Sequence, residues 1–342
     1  MKIPERLKLP KSCKVSSREH YSINLNRPLY GLKQSGFMRY NRLSKYLLKE
    51  GYLCIFIKMF GSEYVIIVVY VDDLNIIGTP DLRKTKICLG LQIEYLKDGI
   101  LVLKRFYIDK SHPLSTPKVV RSLDVEKDHF QPPTDDEYIL GPEVPYLSAI
   151  GALIEIQFVS YEETLEWSKK IFRYLQGMKD LGLYFSNPSK GSLYGFADAG
   201  YLSNPHTGRS QTGYVFTMGG TSISWRSTKQ TMTATSSNHA EILAIHEASR
   251  ECVWLRNVIQ HIRGSCGIIT DKEPPTVLYE DNAACIAQLK EGYIKGDITK
   301  HILPKFFFTH DLQKSGDIIV QQVRLCENLA DLFTKSLPNS TF

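Results

Sequence analysis

Residues 212–228 read TGYVFTMGGTSISWRST, two runs rich in β-branched and aromatic residues on either side of Gly219-Gly220. A Gly-Gly pair supplies the positive φ angles of a two-residue hairpin turn, so the runs predict adjacent antiparallel strands. Upstream, SLYGFADAGY predicts a strand that ends near Asp198. Downstream, NHAEILAIHEASRECVWLRNVIQHI carries apolar residues at helical spacing. A strand TVLYED, a helix NAACIAQLK, a helix around KFFFTHDLQK, a strand DIIVQQVRL and a short helix ENLADLFTKSL follow. The order β-β-β-α-β-α predicts an α/β domain over 191–338, with a mixed sheet and flanking helices.

The earlier chain has two textures. Within 1–110, GFMRYNRLSKYLLKEGY reads as a helix stopped by Gly51, and YVIIVVYV and LNIIG read as strands flanking Asp72-Asp73, a second hairpin. Residues 111–145 are rich in Pro and acid (SHPLSTPK, FQPPTDDE, GPEVP) and read as linker, within a wider 111–190 linker and connection stretch. With 342 residues the chain holds two ordinary domains, and 43% hydrophobic with 23% charged residues is globular composition. Seven scattered cysteines form no C-x-x-C pair, which fits a reduced setting and neither a zinc site nor a disulfide framework. No apolar stretch approaches the ~18 residues of a membrane span, and the N-terminus lacks the apolar core of a signal peptide. An intracellular protein without a membrane partner is expected, cytoplasmic or nuclear. The net charge of +6 is compatible with nucleic acid without arguing for it.

Four acids in the last domain call for an account. Asp198 lies between the small residues Ala197 and Ala199, and Glu241 begins a helical face continued by Ile245, Ala248, Cys252, Leu255 and Ile259. Asp281 ends the strand TVLYED, and Asp331 lies in the last helix off its apolar face. Each has an ordinary use: Asn238 and Glu241 resemble a capping box, Asp281 suits an N-cap, and Asp331 suits an i,i+4 ion pair with Lys335. Together, on two strand ends and two helices, they also suit a site where divalent cations relieve the repulsion. Oxygen-only ligation favours Mg2+ or Mn2+ over zinc.

PLYGLKQS, YVDDLNIIGT, LSAIGAL, GFADAGYLSNPHTGRSQTGYVFTMGGTSISWRSTKQTMTATSSNHAE, YEDNAACI and NLADLFTKSLP closely resemble, in order, the Pol polyprotein of copia-type LTR retrotransposons. The resemblance implies an incomplete reverse transcriptase palm followed by an RNase H-like domain. It places the four RNase H acids at Asp198, Glu241, Asp281 and Asp331, as catalytic residues and as ligands of Mg2+ or Mn2+. It makes Asp72-Asp73 the polymerase turn. The same resemblance demands a third Asp on an earlier strand, and no Asp precedes Asp72. The segments YLCIFIK, TPDLRKTKICLGLQIEY and GALIEIQFVSYEETLEWSKKIFRYLQG look shorter than the family pattern, so the palm, thumb and connection are expected to be truncated and internally deleted.

The implied activity is metal-dependent hydrolysis of the RNA strand of RNA–DNA hybrids, with no small-molecule cofactor besides the metal and no signal for an oligomeric state. A catalytically inactive nucleic-acid-binding module or pseudogene product, and a functional RNA-directed DNA polymerase, are the other readings. Arg209, Trp225, Arg226 and Lys229 around the hairpin, and Lys300, His301, Lys305, His310 and Lys314 before the last strand, are candidate phosphate contacts or simply a solvated face. Trp225 is expected in the core.

Overall fold

The structure is a computed structural model, described for residues 33–49, 56–61, 63–70, 73–78, 86–88, 91–104, 112–114, 162–178, 181–186, 191–204, 206–267, 273–294 and 300–335. The chain forms two compact units, one of Met1–Arg83 with Ile262–Ile268 and one of Lys84–His261 with Ile269–Phe342.

In the first unit, helix α1 (Lys33–Lys49) is followed by strands β1 (Ile57–Phe60), β2 (Glu63–Tyr70) and β3 (Asp73–Gly78), a three-stranded antiparallel sheet in sequence order. Leu47, Phe56, Val65 and Ile67 form its small core, with Leu43 packed against them. The expected hairpin is present, closing on the pair Tyr70–Asp73. Asp72 lies outside the described residues, and Asp73 is described only as the first residue of β3.

The second unit begins with strands β4 (Ile87–Cys88), β5 (Leu91–Tyr95) and β6 (Gly99–Lys104), then helix α2 (Glu162–Gly177) and strand β7 (Leu183–Ser186). These strands make a four-stranded antiparallel sheet in which β7 pairs β6, from Gly99–Ser186 to Val102–Leu183. The stretch read as linker and connection therefore contributes a strand of its own. Hydrogen bonds also tie it down: Leu114 N–H donates to Arg173 O at 3.0 Å, and the Arg173 side chain donates from Nε to His112 O at 2.9 Å.

Strands β8 (Leu193–Asn204), β9 (Arg209–Met218) and β10 (Thr221–Lys229) then run as an antiparallel meander. Helix α3 (Ser237–Ser265), strand β11 (Thr276–Glu280), helix α4 (Ala283–Glu291), helix α5 (Leu303–Lys314) and strand β12 (Ile318–Gln322) follow. The sheet order is β10-β9-β8-β11-β12, with β11 parallel to both β8 and β12. The hairpin turn falls at Gly219 (φ 61°) and Gly220 (φ 81°), a pair of left-handed positions that glycine occupies without a Cβ penalty.

Alternation along the strands sorts the two faces of this sheet. Phe216 and Leu278 point to the face covered by α3, where they join Ile242, Ile245, Leu289 and Phe306 in the main core. Burying each of these side chains stabilises the fold by about 1.5–3 kcal/mol. The predicted helical face of α3 is buried from Glu241 through Leu255, with Ile259 half-buried at its end. On the other face lies a chain reversal made of two short 3-10 turns, Leu325–Glu327 and Leu329–Phe333, where the sequence predicts one helix. An added Cβ on Gly213 would stand 2.6 Å from Thr334 Cγ2 and 2.9 Å from Phe333 Cβ, so this glycine lets the second turn lie flat on β9. Trp225 is 49% exposed rather than in the core, because β10 is the edge strand. Among the described residues no helix is long and apolar enough to cross a membrane.

Candidate metal centre

β8 does not end at Asp198 but continues six residues further, to Asn204. Asp198 is thus mid-strand, opposite Gly213 of β9, on the face where the 3-10 turn lies. Polarity at 198 is what suggested an end. The ladder runs on because Gly213 leaves room and partners from the 3-10 segment meet the carboxylate. Thr334 Oγ1 donates to Asp198 Oδ2, and Lys335 Nζ stands 3.1 Å from Asp198 Oδ1. The same ammonium is 2.7 Å from Asp331 Oδ1, so the expected i,i+4 pair exists and is one arm of a three-residue bridge.

Asp281 follows β11 directly. In the parallel β8–β11 register the last pair is Tyr279–Phe196, and Asp281 and Asp198 each lie two residues beyond it, which brings them level. Asp281 is not the N-cap of α4. That role belongs to Asn282, whose side chain accepts from Cys285 N–H at 3.0 Å. Asn328 Nδ2 donates to Asp281 Oδ2 at 3.2 Å and to Ala197 O at 2.9 Å, orienting the carboxylate.

Glu241 is buried, on the α3 side of the strand ends. The capping-box reading fails: Ser236 Oγ accepts from His239 N–H at 3.2 Å, while Asn238 Nδ2 donates to Gln288 Oε1. Beside Glu241 is a residue that sequence reading passed over. Glu280, the last residue of β11, is fully buried, and its Oε1 accepts from Asn282 N–H at 3.3 Å. The signal for it was the alternation Thr276, Leu278, Glu280, which places all three on the core face.

The acids form two overlapping groups. Ligand oxygens of Asp198, Asp281 and Asp331 lie within 4.8 Å of one another, as do those of Glu241, Glu280 and Asp281. Burial, and then the negative charges of Asp198 and Asp281, push Glu241 up to about 9. Burial and the neighbouring Glu241 and Asp281 raise Glu280 well above the carboxylate range. Burial raises Asp331 to about 6, with Asp198 adding to the shift against Lys335, and burial raises Asp281 as well. Burial alone would lower Lys335, but its bond to Asp331 and the charge of Asp198 outweigh that and raise it. Glu241 Oε2 and Glu280 Oε2 are buried with no hydrogen-bond partner among the described residues. Such orphaned oxygens in an all-carboxylate set fit a hard divalent cation.

The candidate phosphate contacts are dispersed. Arg209, Arg226, Lys229, Lys300, His301 and Lys314 are exposed. Arg226 and Lys229 line a cavity of about 500 Å³ with Arg250 and Lys305, where Glu247 pairs with Arg250 at 3.3 Å and Lys305 at 3.4 Å. His310 is structural: its Nδ1 meets Leu289 O at 2.8 Å and its ring stacks on Phe306.

A five-stranded mixed sheet in this order, with acids from strand, helix and chain reversal gathered at its centre, is the RNase H-like fold. Residues 6–99 match the reverse transcriptase (RNA-dependent DNA polymerase) family. The Pol polyprotein from transposon TNT 1-94 of Nicotiana tabacum is 27% identical over 97% of this chain, and that from transposon RE1 of Arabidopsis thaliana is 27% identical over 95%. Over nearly its whole length the chain is thus similar to the Pol polyproteins of copia-type LTR retrotransposons. It spans 28% and 25% of the lengths of those two relatives. The tobacco alignment runs over 390 positions, more than the 342 residues present, so that relative carries segments with no counterpart here. Among solved structures, RNase H1 from Halobacterium salinarum matches 42% of this chain and 95% of its own, at 16% identity and a TM-score of 0.31.

Proposed function

We propose that this chain is a metal-dependent ribonuclease H that hydrolyses the RNA strand of RNA–DNA hybrids, with residues 191–338 as the nuclease. Residues 1–110 are a reverse transcriptase palm remnant and 111–190 a connection remnant. The observation that carries the reading is the convergence of Asp198, Glu241, Asp281 and Asp331, with buried oxygens left unpartnered. Bound Mg2+ or Mn2+ supplies activation of water and neutralisation of charge on the scissile phosphate. The chain's own residues do the holding. Thr334 and Lys335 fix Asp198, Asn328 fixes Asp281, and the 3-10 turn presents Asp331 beside them. Arg209, Arg226, Lys229, Lys300 and His301 contact backbone phosphates, which sets register without reading sequence.

The test is hybrid cleavage by the purified chain with Mn2+, against Asp198→Asn. Wild type cleaves and the variant does not, and the variant gains less thermal stability from Mn2+ than wild type does. Equal cleavage by both, or an equal Mn2+ shift, refutes the assignment.

A second reading, an inactive nucleic-acid-binding module, has one observation behind it. Lys335 already bridges Asp198 and Asp331, where a cation belongs. It predicts hybrid binding, no Mn2+ shift and no cleavage.

A further inference from the structure

The two groups of acids differ in what neutralises them. Asp198 and Asp331 share the Lys335 ammonium, and Asp281 accepts from Asn328. Glu241 and Glu280 form no ion pair among the described residues, and each leaves one oxygen, Oε2, without a partner. Both are more than nine-tenths buried. Position 280 is a core position by alternation, on the same face as Leu278, and an apolar side chain there would have needed no partner. A carboxyl in such a place costs stability unless a proton or a cation relieves it. The Asn282 N–H holds one oxygen of Glu280, and the ligand oxygens of Glu241, Glu280 and Asp281 come within 4.8 Å of one another. Glu241 and Glu280 belong to the α3 side of the sheet, Asp198 and Asp331 to the side of the 3-10 turn, and Asp281 alone belongs to both groups.

We propose that Glu280 is a metal-ligating carboxylate and that Glu241, Glu280 and Asp281 form a hard-cation subsite distinct from the one at Asp198, Asp281 and Asp331. The proposal rests on the metal-binding reading above and adds a residue to it. Three carboxylates and no nitrogen or sulfur donor select Mg2+ or Mn2+. The rival is a proton shared between Glu241 and Glu280, which needs no metal at all.

Calorimetric titration of Mn2+ into the metal-stripped full chain separates the two, using wild type, Glu280→Gln, Glu280→Leu and Asp331→Asn. Wild type binds two Mn2+. In both Glu280 variants one binding step weakens by about tenfold or more while the other holds. Asp331→Asn weakens the step that the Glu280 variants spare. Gln keeps the size of the side chain and removes its charge, so it carries the test if the Leu variant does not fold. Wild-type stoichiometry and affinity in Glu280→Gln would overturn the proposal and leave the four-acid reading intact. A wild type that binds no Mn2+ would overturn both.

Discussion

In metal-free buffer the stability of this protein should fall as pH rises from 6.5 to 8.5, and Glu241→Gln should remove a defined part of that fall. Glu241 is raised to about 9 in the folded chain by burial and then by Asp198 and Asp281, from an ordinary value of 4.5. Between those values the folded state holds a proton that the unfolded state has lost. Stability is therefore full below the unfolded value and lost as pH rises through the folded one. One such proton is worth about 1.4 kcal/mol per pH unit, or about 3 kcal/mol across the two units. The window is chosen so that Asp331, His246 and Cys252 change little within it. Asp331, raised to about 6, has finished its change below it, and His246, lowered to about 4 by burial, changes stability only below its unfolded value of 6.5. Cys252, raised by burial to about 11, acts above its unfolded value of 9.0. Glu280 adds to the wild-type slope in the same direction, and its burial, the larger cause of its shift, remains in the variant when the charge of Glu241 is gone. Urea unfolding in EDTA at several pH values, followed by circular dichroism, reads the slope. The variant should be shallower by about 1.4 kcal/mol per pH unit. Parallel slopes in the two proteins, or a wild type that gains stability with pH, would refute the reasoning.

Saturating Mn2+ should reverse the sign of that slope in wild type, since the ligands bind metal only when deprotonated; the same unfolding series with metal checks it. Lys335→Met should cost on the order of 2 kcal/mol without metal, less than a fully buried pair because Lys335 is partly exposed, and Mn2+ should restore most of it in thermal melts. Gly213→Ala should lower stability by about 1–3 kcal/mol and weaken Mn2+ binding together, because the new Cβ meets Thr334, Phe333 and the Ala330 carbonyl, the segment that carries Asp331. Asn328→Ala should cost about 1–3 kcal/mol in urea unfolding by leaving Ala197 O unpaired, and it should loosen Asp281 and the cap at Ala330 N–H.

Much of the second unit was legible because its signals are local. The Gly219-Gly220 turn, the helical face from Glu241 to Leu255 and the apolar runs of β11 and β12 each follow from a few neighbouring residues. The misreadings arose where a distant partner decides the outcome. Asp198 looked like a strand end because an acid in a strand is costly; Gly213, Thr334 and Lys335, which make it tolerable, lie far away in sequence. The capping box looked sound within four residues, yet Asn238 is drawn to Gln288 on another helix and Ser236 takes the cap. Trp225 is apolar enough for a core, and only the sheet order reveals that β10 is an edge.

Glu280 is the instructive omission, because its signal was local after all. YED was read as a strand ending in acid, which directs attention to the last acid and treats the one before it as part of the ending. The period of two gives a different result. Thr276, Leu278 and Glu280 share a face, and two of the three are plainly core residues. A glutamate third in such a series is either an error in the strand or a charge with a partner, and the strand is continuous through Glu280 in register with Gln322. The partner must then come from whatever packs on that face, and what packs there is the start of α3 with Glu241, another acid. Two acids can be partners only through a proton or a cation between them. The alternation in the sequence therefore already marked a carboxyl on the α3 side of the sheet that a proton or a cation must relieve, apart from the acids on the opposite side.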